Sequence, residues 1–157
     1  MTKFKFSLET VEKVRLQKEE KMLKELSLCQ ATYQEKIAIK KDLLAKKQGA
    51  FVNKNELISR DAKINDIKLL EDYITGLKQQ IIRADQAIIR ARRFLDQAMR
   101  NYILARRERM MIDRLKEKAL EEFKREEARL SQKRLDDLIT MRMRLNHGPI
   151  DGEEEIA

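Results

Sequence analysis

An all-α fold, drawn out as an elongated antiparallel two-helix coiled-coil hairpin, is what this sequence predicts, on three observations. Sixteen positions recur in alternating steps of four and three: Leu70, Ile74, Leu77, Ile81, Ala84, Ile88, Ala91, Leu95, Ala98, Tyr102, Ala105, Arg109, Ile112, Lys116, Ala119 and Phe123. Fourteen are apolar, where the chain's 42% hydrophobic content would fill about seven, and such a stripe is the mark of a coiled-coil seam. Charged residues make up 39% of the 157 positions, aromatics 5%, and there are only four glycines and one proline, a composition of long helices. Ala84, Ala91, Ala98 and Ala105 hold one heptad position four times running, which lets a second helix approach closely.

The first helix is expected over 7–48. Ser7 offers an N-cap, with Phe6 and Val11 flanking it as a hydrophobic staple. Val11, Met22, Tyr33 and Leu44 recur every eleven residues, with Leu26, Cys29 and Ile37 between them and Lys18 and Lys40 on the same stripe. An eleven-residue period drifts the opposite way to a heptad, so this helix should supercoil weakly against the second. Gly49 breaks the pattern. Asn53 followed by Glu56, with Val52 and Leu57 as a second staple, marks a fresh start. Residues 49–68 therefore read as the hairpin tip, holding a short helix over 54–64; a first helix continuing to about 66 with a kink at Gly49 is the alternative.

The second helix is expected over 69–145, around 115 Å long at 1.5 Å per residue. Gly76 falls inside it, off the seam. Asn146-His147-Gly148-Pro149 ends it, and 146–157 read as a disordered acidic tail. Residues 1–145 thus form a single hairpin. Helices this charged gain their stability by packing, so the second folds back on the first, large residues (Met22, Leu26, Tyr33, Ile37) facing the alanines; a parallel dimer seam is the other reading. A turn near 59 pairs positions whose numbers add to about 118, and a longer first helix moves that value towards 136.

The net charge of +8 rises to +12 without the acids Asp151, Glu153, Glu154 and Glu155, and a body this basic is drawn to acidic surfaces. One cysteine excludes an internal disulfide framework and agrees with a reducing compartment. No leader and no membrane-spanning stretch are expected, so any membrane association is peripheral or through a partner. Nothing points to catalysis. His147 reads as a cation at a helix end and Cys29 as a small apolar seam residue. Phosphate-binding glycine motifs and metal-ligand clusters are missing, so no catalytic residue, cofactor or metal site is assigned. Glu121-Glu122 and Glu126-Glu127 read as solvated faces paired with Arg125 and Arg129.

Two features remain for contacts. Arg83 to Lys118 is strongly basic, with most cations off the seam, read either as a solvated face or as a docking stripe for an acidic protein. Nucleic acid is not the expected partner, since no stacking aromatics lie among the arginines. Leu115, Leu120, Phe123, Leu130, Leu135, Leu138, Ile139, Met141 and Met143 outrun the seam, and whether the first helix covers them decides whether they form a partner surface.

Three segments resemble the FliJ family of flagellar export proteins. They are Phe4-Lys5-Phe6-Ser7-Leu8-Glu9-Thr10-Val11 with Arg15 and Glu19-Glu20; Tyr73-Ile74-Thr75-Gly76-Leu77; and Arg106-Arg107-Glu108-Arg109, Leu115-Lys116-Glu117-Lys118 and Gln132-Lys133-Arg134-Leu135-Asp136-Asp137. Asp137 stands where the family usually has Glu. The resemblance implies an antiparallel coiled coil similar to the rotor stalk of rotary ATPases, without enzymatic activity, serving the bacterial flagellar type III export apparatus. Its partners would be the hexameric export ATPase, whose centre the paired chain ends would enter to promote assembly and turnover, the export-gate membrane protein, and export chaperones that it escorts. It would be cytoplasmic, peripherally associated with the inner membrane at the flagellar base, without direct membrane insertion, and a monomer or weak oligomer when free. Candidate ATPase contacts are the cations Arg106, Arg107, Arg109, Arg114 and Lys116 and the apolar Phe123, Leu130, Leu135 and Leu138. Tyr73, Leu77, Gln80 and Ala84 carry over as the export-gate face, although Leu77 and Ala84 also belong to the seam. A basic tether or nucleic-acid-associated rod, and a stalk protein of a virulence secretion system, are the alternatives.

Overall fold

The computed structural model describes residues 3–146, which form two long helices, α1 (Glu9–Ser59) and α2 (Ile64–Asn146), packed antiparallel. Lys13–Arg109 make one compact unit, the hairpin with its turn. Residues 3–12 together with 110–146 make a second. The expected acidic tail and His147 lie outside the described residues.

All sixteen seam positions of α2 are buried or half-buried. Ile74, Leu77 and the four alanines are the most enclosed, Ala105 at 1% exposure. On α1, with Glu25 and Phe51 half-buried beside it, the covered seam from Arg15 to Leu57 consists of Arg15, Glu19, Met22, Leu26, Cys29, Tyr33, Lys36, Lys40, Leu43, Lys47, Ala50, Lys54 and Leu57. They step by four and three in turn, so α1 also follows a heptad. The eleven-residue stripe is corrected accordingly: Val11, Ile37 and Leu44 stay 36%, 36% and 43% exposed. A strict heptad on α2 demands the same period from its partner. Six of the α1 seam positions carry charge, and their long aliphatic stems cover apolar surface while the heads reach water.

The short tip helix over 54–64 is not formed, and Gly49 does not break α1. Glycine inside a helix costs about 1 kcal/mol relative to alanine. Against that, the next residue, Ala50, is buried with Ile74 and Leu77, and Leu43, Phe51 and Leu70 pack around them. Burying one aliphatic side chain of that cluster is worth about 1.5–3 kcal/mol, so packing wins. Helix α1 therefore ends eleven residues later than the expected 48, and α2 starts at Ile64 rather than 69.

The turn is built without glycine or proline. The Ala62 N–H donates to the Leu57 carbonyl at 3.2 Å and the Arg60 N–H to Glu56 at 3.2 Å. Asp61 takes the left-handed conformation, φ 49°. This is a Schellman-type stop with aspartate where glycine is usual. At its other end α1 begins at Glu9, two residues after the expected Ser7 cap: the Leu8 carbonyl accepts the Glu12 N–H at 2.9 Å, and Glu9 and Glu12 place acids in the first turn.

Cross-helix ion pairs read out the register. Lys40 meets Asp85 at 2.6 Å and Lys54 meets Glu71 at 2.5 Å, and both pairs of numbers add to 125. That lies between the two expectations, because the turn spans 60–63. Ala98 then falls opposite Leu26 and Cys29, and Ala91 opposite Tyr33 and Lys36.

Candidate interaction site

In the unit at the chain ends, three aromatic rings and an ion pair join the N-terminal segment to α2. Phe4 packs on Phe123 with ring centroids 5.6 Å apart at 58°. Phe6 is buried, and the Lys116 ammonium stands 6.0 Å from the centre of its ring. The same ammonium donates to both oxygens of Glu12, at 2.8 and 2.9 Å. The Glu12 carboxylate raises the Lys116 pKa above its ordinary value through that hydrogen bond, against desolvation and with the negative charges of Glu12, Glu9 and Asp113 adding to it.

Cover on α2 ends at this point. From Lys124 to Leu145 every residue is exposed except Glu127, which is half-buried. Leu130, Leu138 and Leu145 remain 44%, 64% and 82% exposed. With Met141 they follow Phe123 at intervals of 7, 15, 18 and 22 residues, within about 60° of it on a straight α-helix; Leu130 alone of the four sits on the next steps of the heptad. Leu135 lies about 120° round the helix from Phe123. Glu121 pairs with Arg125 and Glu126 with Arg129 along the helix, at 3.7 and 2.7 Å.

The expected cations divide. Lys116 is committed to Glu12, and Arg109, within the hairpin unit, to Glu19. Arg106, Arg107 and Arg114 are exposed. On the expected gate face Tyr73 is 52% exposed and Gln80 is exposed, whereas Leu77 and Ala84 are buried in the seam at 3% and 9%. Leu69, which the sequence reading passed over, is 72% exposed and lines a shallow apolar depression with Leu70, Asp72 and Tyr73. The signal was present: of two adjacent leucines, only Leu70 can enter a heptad seam.

Among the described residues no group of three or more His, Cys, Asp and Glu side chains is placed to hold a metal ion, and no helix is long and apolar enough to cross a membrane. Cys29 is half-buried in the seam as a free thiol.

Two antiparallel helices, a charged seam and apolar residues left open along α2 define a coiled-coil protein that acts by contact. The family model for the flagellar FliJ protein matches residues 4–148, and the chain belongs to that family, a non-catalytic one: it is a FliJ-like flagellar export protein with a general stalk role in the export apparatus. A search of curated proteins finds no match to the chain, and neither does one of solved structures.

Proposed function

We propose that the unit holding both chain ends enters the centre of the hexameric export ATPase, promoting assembly of its ring and turnover of ATP. The observation that carries this reading is the uncovered side of α2 beyond Phe123, where Leu130, Leu138, Met141 and Leu145 stand exposed on one side of the helix. Apolar residues exposed along one side of a helix are suited to a partner surface. Arg114, exposed sixteen residues before Leu130 on α2, is a cation for acidic channel residues. A helical shaft gripped by a ring favours different subunit states in turn by steric and electrostatic contact. Near the hairpin turn, Tyr73 and Gln80 are the residues of the gate set that a membrane export-gate protein can touch, with Leu69 extending that patch. Escort of export chaperones, and a cytoplasmic location at the inner-membrane base of the flagellum, complete the reading.

The test is ATPase stimulation by the full chain carrying Leu130→Asp and Leu138→Asp. Both side chains are exposed, so helix content by circular dichroism should be unchanged while stimulation is lost. Full stimulation by the doubly substituted chain would refute the proposal.

A further inference from the structure

The hairpin unit has one flank whose chemistry exceeds the needs of a two-stranded seam. Beside the α1 seam runs a second heptad row, Leu16, Leu23, Ile37, Leu44 and Ile58, between 36% and 52% exposed. On α2, Ile82, Ile89 and Ile103 repeat at heptad spacing and are 59%, 54% and 39% exposed, with Met99 between them at 45%. Phe51, which belongs to the first row, has the Lys78 ammonium of α2 6.0 Å from its ring centre. That contact fixes the α1 row and the Lys78 edge of α2 on the same side of the hairpin, and Ile82 lies one turn along from Lys78.

A strict two-stranded seam needs two apolar positions per heptad; a third marks a helix built into a bundle. Each helix here supplies that third row, and both rows face the same flank. Between them Lys40 pairs with Asp85 at 2.6 Å, and Asp96, which interrupts the isoleucine row between Ile89 and Ile103, pairs with Arg92 at 3.6 Å. The outer rim on α2 is not neutralised. Arg93, Arg100 and Arg107 form a further heptad row, all exposed, and no acid among the described residues meets any of the three. The matching rim on α1 carries Lys13, Glu20 and Lys41 among polar residues, and so holds no acidic row to face those arginines.

We propose that this flank is a docking groove for one amphipathic helix of an acidic partner, its apolar stripe lying between the two rows and its carboxylates over Arg93, Arg100 and Arg107. Charge selects the occupant. A second copy of this chain would bring the arginine row against a rim of mixed charge, and it carries a net +8 of its own. A heptad-spaced apolar pair of rows selects a helix over a lipid surface or a nucleic acid, neither of which has that period. This site lies within Lys13–Arg109 and does not depend on the ATPase contact proposed above.

The probe is a labelled synthetic helix of about four heptads, with leucines at the seam positions and glutamates along one edge. It is titrated against the full chain at physiological salt and followed by fluorescence anisotropy. The expected result is saturable binding, weaker by about tenfold or more for a scrambled peptide of the same composition. Ile37→Gln with Ile89→Gln should weaken binding by about tenfold while circular dichroism stays unchanged. Arg93→Glu, Arg100→Glu and Arg107→Glu together should transfer the preference to a lysine-edged version of the peptide. No saturable binding, equal binding of the scrambled peptide, or indifference to the isoleucine substitutions would overturn the proposal. So would a dimer in sedimentation that the Ile37/Ile89 variant dissolves. Phosphatidylglycerol vesicles or duplex DNA bound more tightly than the peptide, with the same residue dependence, would overturn it as well.

Discussion

Lys116 of α2 reaches the carboxylate of Glu12 on α1, 2.8 and 2.9 Å from its two oxygens, at a seam position where a heptad calls for an apolar residue. In the hairpin unit Arg109 meets Glu19 in the same way. Each pair of numbers adds to 128, and 109 and 116 lie one heptad apart, as do 12 and 19. Both departures from the apolar pattern of α2 are therefore answered on α1. A slip by one heptad would set Lys116 against Glu19 and leave Arg109 without either glutamate. Charged seam residues that specify register at some cost in stability are familiar in coiled coils. Glu12→Lys should lower Tm by placing two cations together, and Glu12→Lys with Lys116→Glu should recover most of the loss. Thermal melts at low and high salt check this. Equal losses in the single and the swapped chain would show that the pair does not set the register.

The alanine row predicts a sharper steric effect. Ala105 is 1% exposed and Ala98 7%. Leucine at either position adds volume where the axes are closest, and overpacking of a filled seam costs about 1–3 kcal/mol. Ala31→Leu on the exposed face of α1 is the control and should be near neutral. Urea midpoints of the three variants decide between a packed and a loose interface.

Much of α2 was legible because its seam is written in apolar letters, and every one of those positions is covered. The α1 seam was not, since Arg15, Glu19, Lys36, Lys40, Lys47 and Lys54 hold seam positions with charged heads and aliphatic stems. Counting apolar residues passes over such positions and picks up Val11, Ile37 and Leu44 instead. The turn was obscured for a related reason: Gly49 attracts attention, but the left-handed residue is Asp61, and aspartate tolerates that conformation with no outward mark. Register was the hidden quantity for the candidate site. Heptads look alike after any slip of seven, so only the cross-helix pairs tell where α1 stops covering α2, and hence that Leu130 and Leu138 stay open.

Glycine in the helix interiors gives a prediction of opposite sign. A Cβ added at Gly49 or Gly76 meets nothing within 4 Å, and neither glycine has a positive φ. Gly49→Ala and Gly76→Ala should each stabilise the chain by about 0.4–1 kcal/mol, by restricting the unfolded chain and favouring helix. Destabilisation by Gly49→Ala would mean that the helix breaks there after all. Urea unfolding of each variant measures it.

Stability should fall at both ends of the pH scale, for reasons with opposite signs. The hydrogen bond from Lys18, at 2.9 Å, holds the Glu108 carboxyl below its ordinary 4.5, with Arg15 adding to it against desolvation. Glu71 is lowered in the same way by its hydrogen bond from Lys54. For a group depressed by folding, the stabilisation is present above the unfolded pKa and is lost as pH falls through the folded value, so the acid limb lies below about 4.5. Lys116 is raised above its ordinary 10.5 by Glu12; its contribution is complete below that value and disappears as pH rises through the folded one. All three groups are solvated, so both limbs should be shallow and should flatten further in salt. Glu71→Gln with Glu108→Gln should give a less steep acid limb in urea midpoints measured from about pH 2.5 to 7. The alkaline limb should keep its slope in that variant, because Lys116 and Glu12 are untouched. An acid limb identical to that of the parent would assign the loss to other carboxylates.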